Sequence, residues 1–435
     1  MLLIYTHKLT PRVRYIFKHI VTRVLKVPID FTTKVEEFVA HSGPKLSYTK
    51  VALGKEFFIK SHDLLFQQGI RDIEITVQPW KNVPCFFYQG EKSDIPFDIF
   101  SASFYLITRY EEYLPHIKDT YGRYKATESI AFKHDFLEKP IIDIWAYLFL
   151  EELKERYPDF EYKKREYKYI STIDVDNAYA YKHKSFVRTV GGFLKDTYHL
   201  KILNLWDRFA VRFNLKKDPF DTFQKIINLK KEHDIRTIFF FLIGDYTTYD
   251  TNVSASKAKF KLLIKDMVDY ARVGLHPSYY TMNDAVMLKK EKERLEAITN
   301  LPIKRSRQHY LRFSLPDTYQ KLIDLEIDED YSMGYASHAG FRAGTCTPFY
   351  FYDIDFEIQT PLKVFPFAVM DTTLNDYMKL TPKQALGKIR DLKNEVKNVN
   401  GVFITLFHNE SLSGYQRWRG WSRLYGSTLK IVKYQ

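Results

Sequence analysis

The chain has 435 residues, of which 45% are hydrophobic and 27% are charged. This balance excludes a disordered or fibrous protein, and the length predicts two domains with sizeable cores. The two cysteines imply neither a disulfide framework nor a thiolate metal site.

The formal net charge of +13 would suit an acidic glycan, a phosphate-bearing substrate or a membrane surface. The lysines are, however, spread through helical stretches such as Lys289–Arg294, which is typical of solvated helix faces, and we prefer this second interpretation. Nucleic-acid binding is not expected, because the sequence contains no zinc-finger spacing and no glycine-rich phosphate loop.

The sequence also bears on targeting. No apolar run approaches 18 residues in length, and the apolar start Met1–Tyr5 leads directly into charged residues. We therefore expect no signal peptide, no membrane span and a cytoplasmic location. Nothing in the sequence indicates the oligomeric state.

Residues 1–162 are predicted to form an accessory α/β domain. Their apolar patterns predict helices and strands that include Arg12–Leu25, Phe97–Tyr113 and 140–156 as helices, and Leu2–Tyr5, Ile73–Val77 and Cys85–Tyr88 as strands. In the aromatic helix, Arg109, Glu111 and Glu112 are expected at an interface or surface rather than in catalysis. The polar stretch Tyr157–Tyr167 marks the domain boundary.

Residues 163–435 alternate strand and helix patterns, which favours a parallel sheet or a barrel. The predicted strands are 170–176, Thr237–Ile243, Val273–Leu275, Val364–Met370 and Gly401–Phe407. Predicted helices begin near Asp218, Ser256, Asn283, Asp317 and Thr381, and a last helix carries Leu424, Leu429 and Val432.

Polar side chains end several of these strands: Asp174 with Asp176, Asp245, His276, Asp371 and His408. Asp174 and Asp176 are spaced i, i+2, so on a strand they point to the same side. Alone, this pair could be a solvated turn. Several such residues from different strands indicate a catalytic face, because α/β enzymes carry their sites at the carboxyl ends of parallel strands.

The residue types at these ends favour a metal-dependent hydrolysis. Asp176, His276 and His309 form a carboxylate and imidazole set that suits Zn²⁺ or a similar divalent metal. Asp174 could act as general base, and His408 could protonate a leaving amine. No serine or cysteine nucleophile elbow is visible to compete with this chemistry.

The motifs resemble those of the NodB-homology polysaccharide deacetylases (carbohydrate esterase family 4), in a variant with an extra N-terminal domain. The resemblance covers about residues 165–435 and is carried by Thr172–Asp176 and Leu406–His408, with a looser match around Asp330–Tyr335. It implies a distorted (β/α) barrel over residues 163–435, with Asp174 as base, Asp176 and His276 as metal ligands, His408 as acid, and Arg307 orienting the base.

The sequence departs from the family pattern at the second motif. Gly274–Tyr280 keeps only the first of two histidines, and Tyr280 stands where the second metal histidine is expected. We expect His309 to be the third ligand, with Tyr280 beside the site as a hydrogen-bonding or substrate-facing group. The alternative is that His309 is an ordinary loop histidine and that the metal site is degraded.

Two further residues are candidates for substrate binding. Arg342 could contact a substrate carboxylate or hydroxyl, although a structural loop is an equal alternative. Asp371 could orient a substrate or another side chain, or it could cap a helix or turn.

The expected function is hydrolysis of a non-peptide C–N bond, with deacetylation of an N-acetylated sugar or polysaccharide as the preferred reaction. One alternative is a catalytically degraded barrel that binds a glycan or a protein. Another is an enzyme acting on an unrelated small amide, such as a cyclic amide. The N-terminal domain is expected to pack on the barrel and to wall one side of its cleft.

Overall fold

The computed structural model describes residues 1–184 and 202–434, together with residues 190, 191, 194, 197 and 198. A parallel four-stranded sheet forms in the first part, in the order β2-β1-β3-β4. Its strands are β1 (Leu2–Thr6), β2 (Ile29–Thr32), β3 (Lys45–Thr49) and β4 (Phe57–Lys60). All five residues of β1 are buried, as expected for a central strand of a parallel sheet.

Helices of the first part are Pro11–Phe17, Val35–Ala40, Ile99–Ile107, Ile130–Lys133 and Ile141–Arg156. Thr10 caps the first of them, because its hydroxyl accepts the Val13 N–H at 3.1 Å. This α-helix continues as π-helical turns over Lys18–Val24, so the predicted helix is present but changes its winding.

The predicted strand over Ile73–Val77 is wrong. The strands here are β5 (Gln78–Trp80) and β6 (Val83–Cys85), which pair as an antiparallel ribbon. Ile73, Ile75 and Val77 instead pack, half-buried, against the core as a single segment. Alternating apolar residues describe one buried side, but they do not supply the hydrogen-bonded neighbour that a strand requires.

The second part is built on a nine-stranded sheet in the order β12-β13-β11-β10-β9-β8-β7-β15-β14. Its strands are β7 (Lys168–Val175), β8 (Thr237–Phe241), β9 (Arg272–Leu275), β10 (Arg305–Ser306), β11 (Glu329–Asp330), β12 (Phe349–Asp353), β13 (Ile358–Val364), β14 (Val369–Met370) and β15 (Val402–His408). The long strand β7 lies between β8 and β15 and is parallel to both.

In the described ranges, no hydrogen bonds join the edge strands β12 and β14. The architecture is mixed α/β, and the distorted barrel over residues 163–435 stays a prediction. One edge is the antiparallel hairpin of β12 and β13, which sequence patterns did not indicate. The other edge, β14, has only two residues, and the predicted single strand Val364–Met370 is divided between β13 and β14.

Helices of the second part are Ile202–Arg212, Phe223–His233, Ala258–Tyr270, Ala285–Thr299, Asp317–Asp324, Pro382–Asn398 and Leu424–Tyr434. The helix predicted to begin near Asp218 begins at Phe223 instead. The Asp218 carboxylate accepts the backbone N–H groups of Ala180, Tyr181 and Lys182 at 2.8 to 2.9 Å. Asp218 therefore fixes the loop after β7 and is not a helix cap.

The two parts of the chain share a continuous apolar core. At their contact, the Tyr15 hydroxyl donates to the Tyr350 carbonyl of edge strand β12 at 2.7 Å, and the rings of Tyr15 and Tyr352 lie 4.9 Å apart. Arg109 and Glu112 are buried at this contact. The boundary between residues 162 and 163 stays a prediction. Among the described residues, no helix is both long and apolar enough to cross a membrane.

Candidate active site

A cavity of about 330 Å³ opens at the carboxyl ends of the central strands. Its lining includes five residues expected from the sequence: Asp174, Asp176, His276, His309 and His408. The parallel register explains part of this convergence, because β7 and β15 pair with Asp174 directly opposite His408. His276 follows the last residue of β9, and its N–H donates to the Phe241 carbonyl of β8 at 3.0 Å.

Asp176, His276 and His309 form a cluster whose ligand atoms all lie within 4.8 Å of one another. The His276 Nε2 lies 3.1 Å from Asp176 Oδ1, and the His309 Nε2 lies 3.6 Å from Asp176 Oδ2. Both rings are fixed through Nδ1, since His276 contacts the Arg307 carbonyl and His309 contacts Asp250 Oδ1 at 2.8 Å. This arrangement leaves both Nε2 atoms directed towards one carboxylate.

The donor set fits a divalent metal. Two imidazoles and one carboxylate are the ligands of many catalytic zinc sites. The Oδ1 atom of Asp176 is buried, and its contact with His276 Nε2 at 3.1 Å does not have the geometry of a hydrogen bond. A cation between these two atoms would satisfy both of them as ligands.

The pKa of Asp176 is strongly affected by the charges of neighbouring side chains. Burial raises its pKa, but His309 and His408 outweigh this effect and hold the pKa well below its usual range. Burial conversely lowers the pKa of His309, whereas Asp176 and Asp250 raise it to about 9. The carboxylate is therefore ionised, which is the form that binds a metal.

Asp371 holds His408 by two hydrogen bonds. The His408 Nδ1 lies 2.7 Å from Asp371 Oδ1, and the His408 backbone N–H donates to Asp371 Oδ2 at 2.7 Å. Burial lowers the pKa of His408, but Asp371 and Asp176 raise it to about 10. His408 thus carries a proton, and its Nε2 lies 3.5 Å from Asp176 Oδ2.

Asp174 lies beside the buried guanidinium of Arg307, with 3.9 Å between Oδ1 and Nη1. Arg307 donates from Nη2 to the Thr172 hydroxyl at 2.8 Å and is packed between the rings of Phe240 and Phe367, 5.0 and 5.2 Å from their centroids. Asp174 Oδ1 has no hydrogen-bond partner among the described residues. Asp174 is therefore held near Arg307 without a direct hydrogen bond to Oδ1.

The N-terminal part supplies one wall of the cavity through Tyr121 and Arg123. Arg123 donates to Asp119 Oδ2 at 2.7 Å and to the Tyr310 carbonyl at 2.8 Å. Its guanidinium lies 4.8 Å from the Tyr121 ring, which is 5.1 Å from the ring of Tyr310. Because of these contacts, the first part of the chain is attached to the rim of the site.

Five predicted strand-end or site residues do not line this cavity, and one of them, Arg307, lies beside Asp174. Tyr280 is 44% exposed and contacts the ring of Tyr279 at 5.2 Å. Arg342 pairs with Glu112 at 2.6 Å inside the contact between the two parts. Asp371 lies behind His408, and Asp245 pairs with Arg294 at the surface. The substrate-binding roles expected for Tyr280, Arg342 and Asp371 therefore stay predictions.

Sequence reasoning missed Asp250, Gln308 and the wall residue Arg123. Asp250 lies in a loop with no periodicity, and its contact with His309 joins positions 59 residues apart. Gln308 is adjacent to the predicted ligand His309, which could have drawn attention to it. Its buried amide Nε2 has no hydrogen-bond partner among the described residues and belongs to a side chain lining the cavity.

Comparison with known proteins gives a family match for the first part only. Residues 2–158 match a family model described as a family of unknown function (DUF7033). No curated protein matches the chain. The family assignment therefore does not extend to the part that carries the candidate active site.

Solved structures similar to this chain include three with related descriptions. A putative polysaccharide deacetylase from Mycobacterium smegmatis is 13% identical, with a TM-score of 0.41, over 63% of this chain and 87% of that chain. The polysaccharide deacetylase from Bacillus cereus is 14% identical, with a TM-score of 0.31, over 62% and 88%. A CE4 family pseudoenzyme from Bacillus anthracis is 14% identical, with a TM-score of 0.29, over 63% and 64%.

Proposed function

We propose that this chain is a metal-dependent hydrolase of a non-peptide C–N bond and that it deacetylates an N-acetylated sugar or polysaccharide. One observation carries the proposal. A carboxylate and two imidazoles suited to a metal share a cavity with a free carboxylate, Asp174, and a protonated imidazole, His408. This combination of cation, base and acid can hydrolyse an amide.

Asp176, His276 and His309 would hold the metal, and the chemistry of these donors suits Zn²⁺. When bound, the metal would polarise the acetyl carbonyl and lower the pKa of a bound water. Tyr280 is not needed as a ligand, because His309 supplies the second imidazole. The departure from the family's second motif is thereby compensated.

Asp174 would take the proton of the attacking water. The guanidinium of Arg307 lies 3.9 Å from this carboxylate, and Thr172 in turn fixes Arg307. His408, on the neighbouring strand, would donate its Nε2 proton to the leaving amine while Asp371 holds the opposite side of the ring. Asp174 and His408 thus divide the base and acid roles between two adjacent strands.

The cavity lining suits a sugar that carries an acetyl group. Tyr121, Tyr310 and Tyr377 bring aromatic rings to the wall, and such rings can pack against the apolar face of a pyranose. Met370 and Leu406 offer apolar surface for an acetyl methyl group. Gln308 also lines the cavity and adds a polar amide side chain to its wall.

The alternative is a binding module that has lost the reaction. The tyrosine at the second histidine position favours it, because a phenol with a pKa near 10 is a poor metal ligand. Under this alternative, the cavity would still bind a glycan but would hold no metal and hydrolyse nothing.

The test combines metal analysis of the purified protein with an acetate-release assay on N-acetylglucosamine oligomers. The proposal expects about one metal ion per chain and acetate release that stops after chelation and resumes with Zn²⁺. Asp176→Asn should lose both metal and activity, whereas the matched exposed control Asp269→Asn should keep both. Metal-free, inactive protein that still binds the oligomers would establish the binding module instead.

A further inference from the structure

A second cavity lies at the opposite end of the nine-stranded sheet. Its volume is about 1170 Å³, and it is lined where strands begin, at Lys168 of β7, Arg272 of β9 and Val402 of β15. Six residues separate Lys168 from Asp174 along β7, which corresponds to roughly 20 Å at about 3.3 Å per residue. This cavity is therefore separate from the candidate active site.

Basic side chains outnumber acidic ones in its lining by nine to three. Among the described residues, Arg165 is the one of the nine that forms an ion pair with an acid, Asp143, at 2.7 Å. One of the three acids, Glu329, is already paired with Arg305 at 2.8 Å. Part of the excess charge is thus concentrated in a concave site and is not spread over solvated helices, as the sequence suggested.

The basic side chains of this cavity lower the pKa values of their basic neighbours. Partial burial lowers the pKa of Lys26, and the neighbouring Arg165 and Lys168 lower it further. Burial also lowers the pKa of Lys363, and of its charged neighbours only Glu329 opposes this shift. Positive groups held together in this way destabilise one another unless an anion lies between them.

Arg23 adds an independent observation. Its Nη2 donates to Gln359 at 3.0 Å, and its guanidinium lies 4.8 Å from the centroid of the Tyr350 ring. Its Nη1 is buried and has no acceptor among the described residues. Arg23 therefore lines the cavity wall without a paired acid among the described residues.

We propose that this cavity binds a small polyanion with clustered phosphate groups. Phosphate oxygens accept hydrogen bonds from several guanidinium and ammonium groups at once, which matches the unpaired donors here. The cations surround a cavity of ligand size, whereas a membrane or a nucleic-acid duplex requires an extended face. Ile170, Phe365 and Val402 add apolar lining that could contact an organic group attached to the phosphates.

The experiment is calorimetric titration of the full chain with inorganic tripolyphosphate, adenosine triphosphate and adenosine. The triple variant Lys26→Gln, Arg236→Gln, Lys363→Gln removes three cavity charges. The control triple variant Lys259→Gln, Lys261→Gln, Lys265→Gln removes three exposed charges from the helix Ala258–Tyr270. Circular dichroism melting of each variant checks that it is folded.

We expect tripolyphosphate to bind the natural chain, with at least roughly tenfold weaker binding by the cavity variant and unchanged binding by the control. If adenosine triphosphate and inorganic tripolyphosphate bind with equal affinity, the phosphate groups alone are the ligand. If adenosine triphosphate binds more tightly than tripolyphosphate, the ligand is a nucleotide. The proposal is overturned by no binding at about 1 mM, or by equal loss in both triple variants. It is also overturned if Asp176→Asn loses binding while the cavity variant retains it, since the anion would then occupy the candidate metal site.

Discussion

Asp371 contacts His408 twice, at the ring Nδ1 and at the backbone N–H, both at 2.7 Å. The two contacts set the orientation of the ring and the position of the strand end at once. In the proposed reaction, Asp371 would therefore act through His408 and not through a substrate. The first prediction follows from this arrangement.

Replacing His408 with Ala should lower turnover by about 10²–10⁴-fold, because the leaving amine loses its proton donor, while the bound metal stays unchanged. Asp371→Asn should also lower turnover with the metal retained, since the ring loses its ionised partner. Turnover and metal content are measured on the same preparations. Loss of metal from His408→Ala would make His408 a ligand and would contradict the assigned roles.

His309→Ala should lose the metal, and Tyr280→Phe should keep it, because His309 points its Nε2 towards Asp176 whereas Tyr280 lies outside the cavity. Asp250→Asn should weaken metal binding by about 10–100-fold, since it removes the carboxylate that orients His309. Competition with a zinc chelator measures the affinities. Metal retained by His309→Ala and lost from Tyr280→Phe would reverse the assignment.

Arg123→Ala should raise KM more than it lowers kcat, because Arg123 lines the cavity wall but lies away from the acid and base. The matched control is Arg71→Ala, an exposed arginine of the same part of the chain. Steady-state kinetics on N-acetylglucosamine oligomers distinguish the two variants. Unchanged KM in Arg123→Ala would show that the N-terminal wall does not contact the substrate, as would full activity of a folded fragment of residues 166–435.

His19 should make stability depend on pH. Burial, reinforced by Arg23, lowers its pKa to about 3, and neither ring nitrogen has a hydrogen-bond partner among the described residues. Between about pH 6.5 and 3, the unfolded chain binds the proton and the folded chain does not. Stability is therefore lost as the pH falls through this range, by about 1.4 kcal/mol per unit from this residue.

Urea unfolding at several pH values tests this expectation. The natural chain should lose stability more steeply between pH 6.5 and 5 than His19→Leu, whereas the exposed control His134→Leu should follow the natural chain. Parallel pH profiles for the natural chain and His19→Leu would show that His19 is protonated in the folded protein.

The convergence of Asp174, Asp176, His276 and His408 could be predicted, because parallel strands bring their carboxyl ends to one edge. His309 was inferred from its spacing to Arg307, although it lies in a tight turn where Tyr310 has a φ of 60°. The side of the cavity formed by Arg123 could not be predicted, since contacts between distant segments leave no local periodicity. Whether a sheet stays open or closes into a barrel depends on the pairing of its edge strands, and hydrophobic patterns do not encode this pairing either.

The direct register of Asp174 with His408 has a consequence for how this sequence can vary. Side chains alternate along a strand, so a single inserted or deleted residue within β7 or β15 would turn every later side chain to the other face. Substitutions leave that alternation intact, whereas changes in the loops and helices between the two strands alter only the length of the connection. Natural variants should therefore show length differences between residues 176 and 402 while the two strands keep a fixed length, and a one-residue deletion in β15 should abolish folding or activity outright.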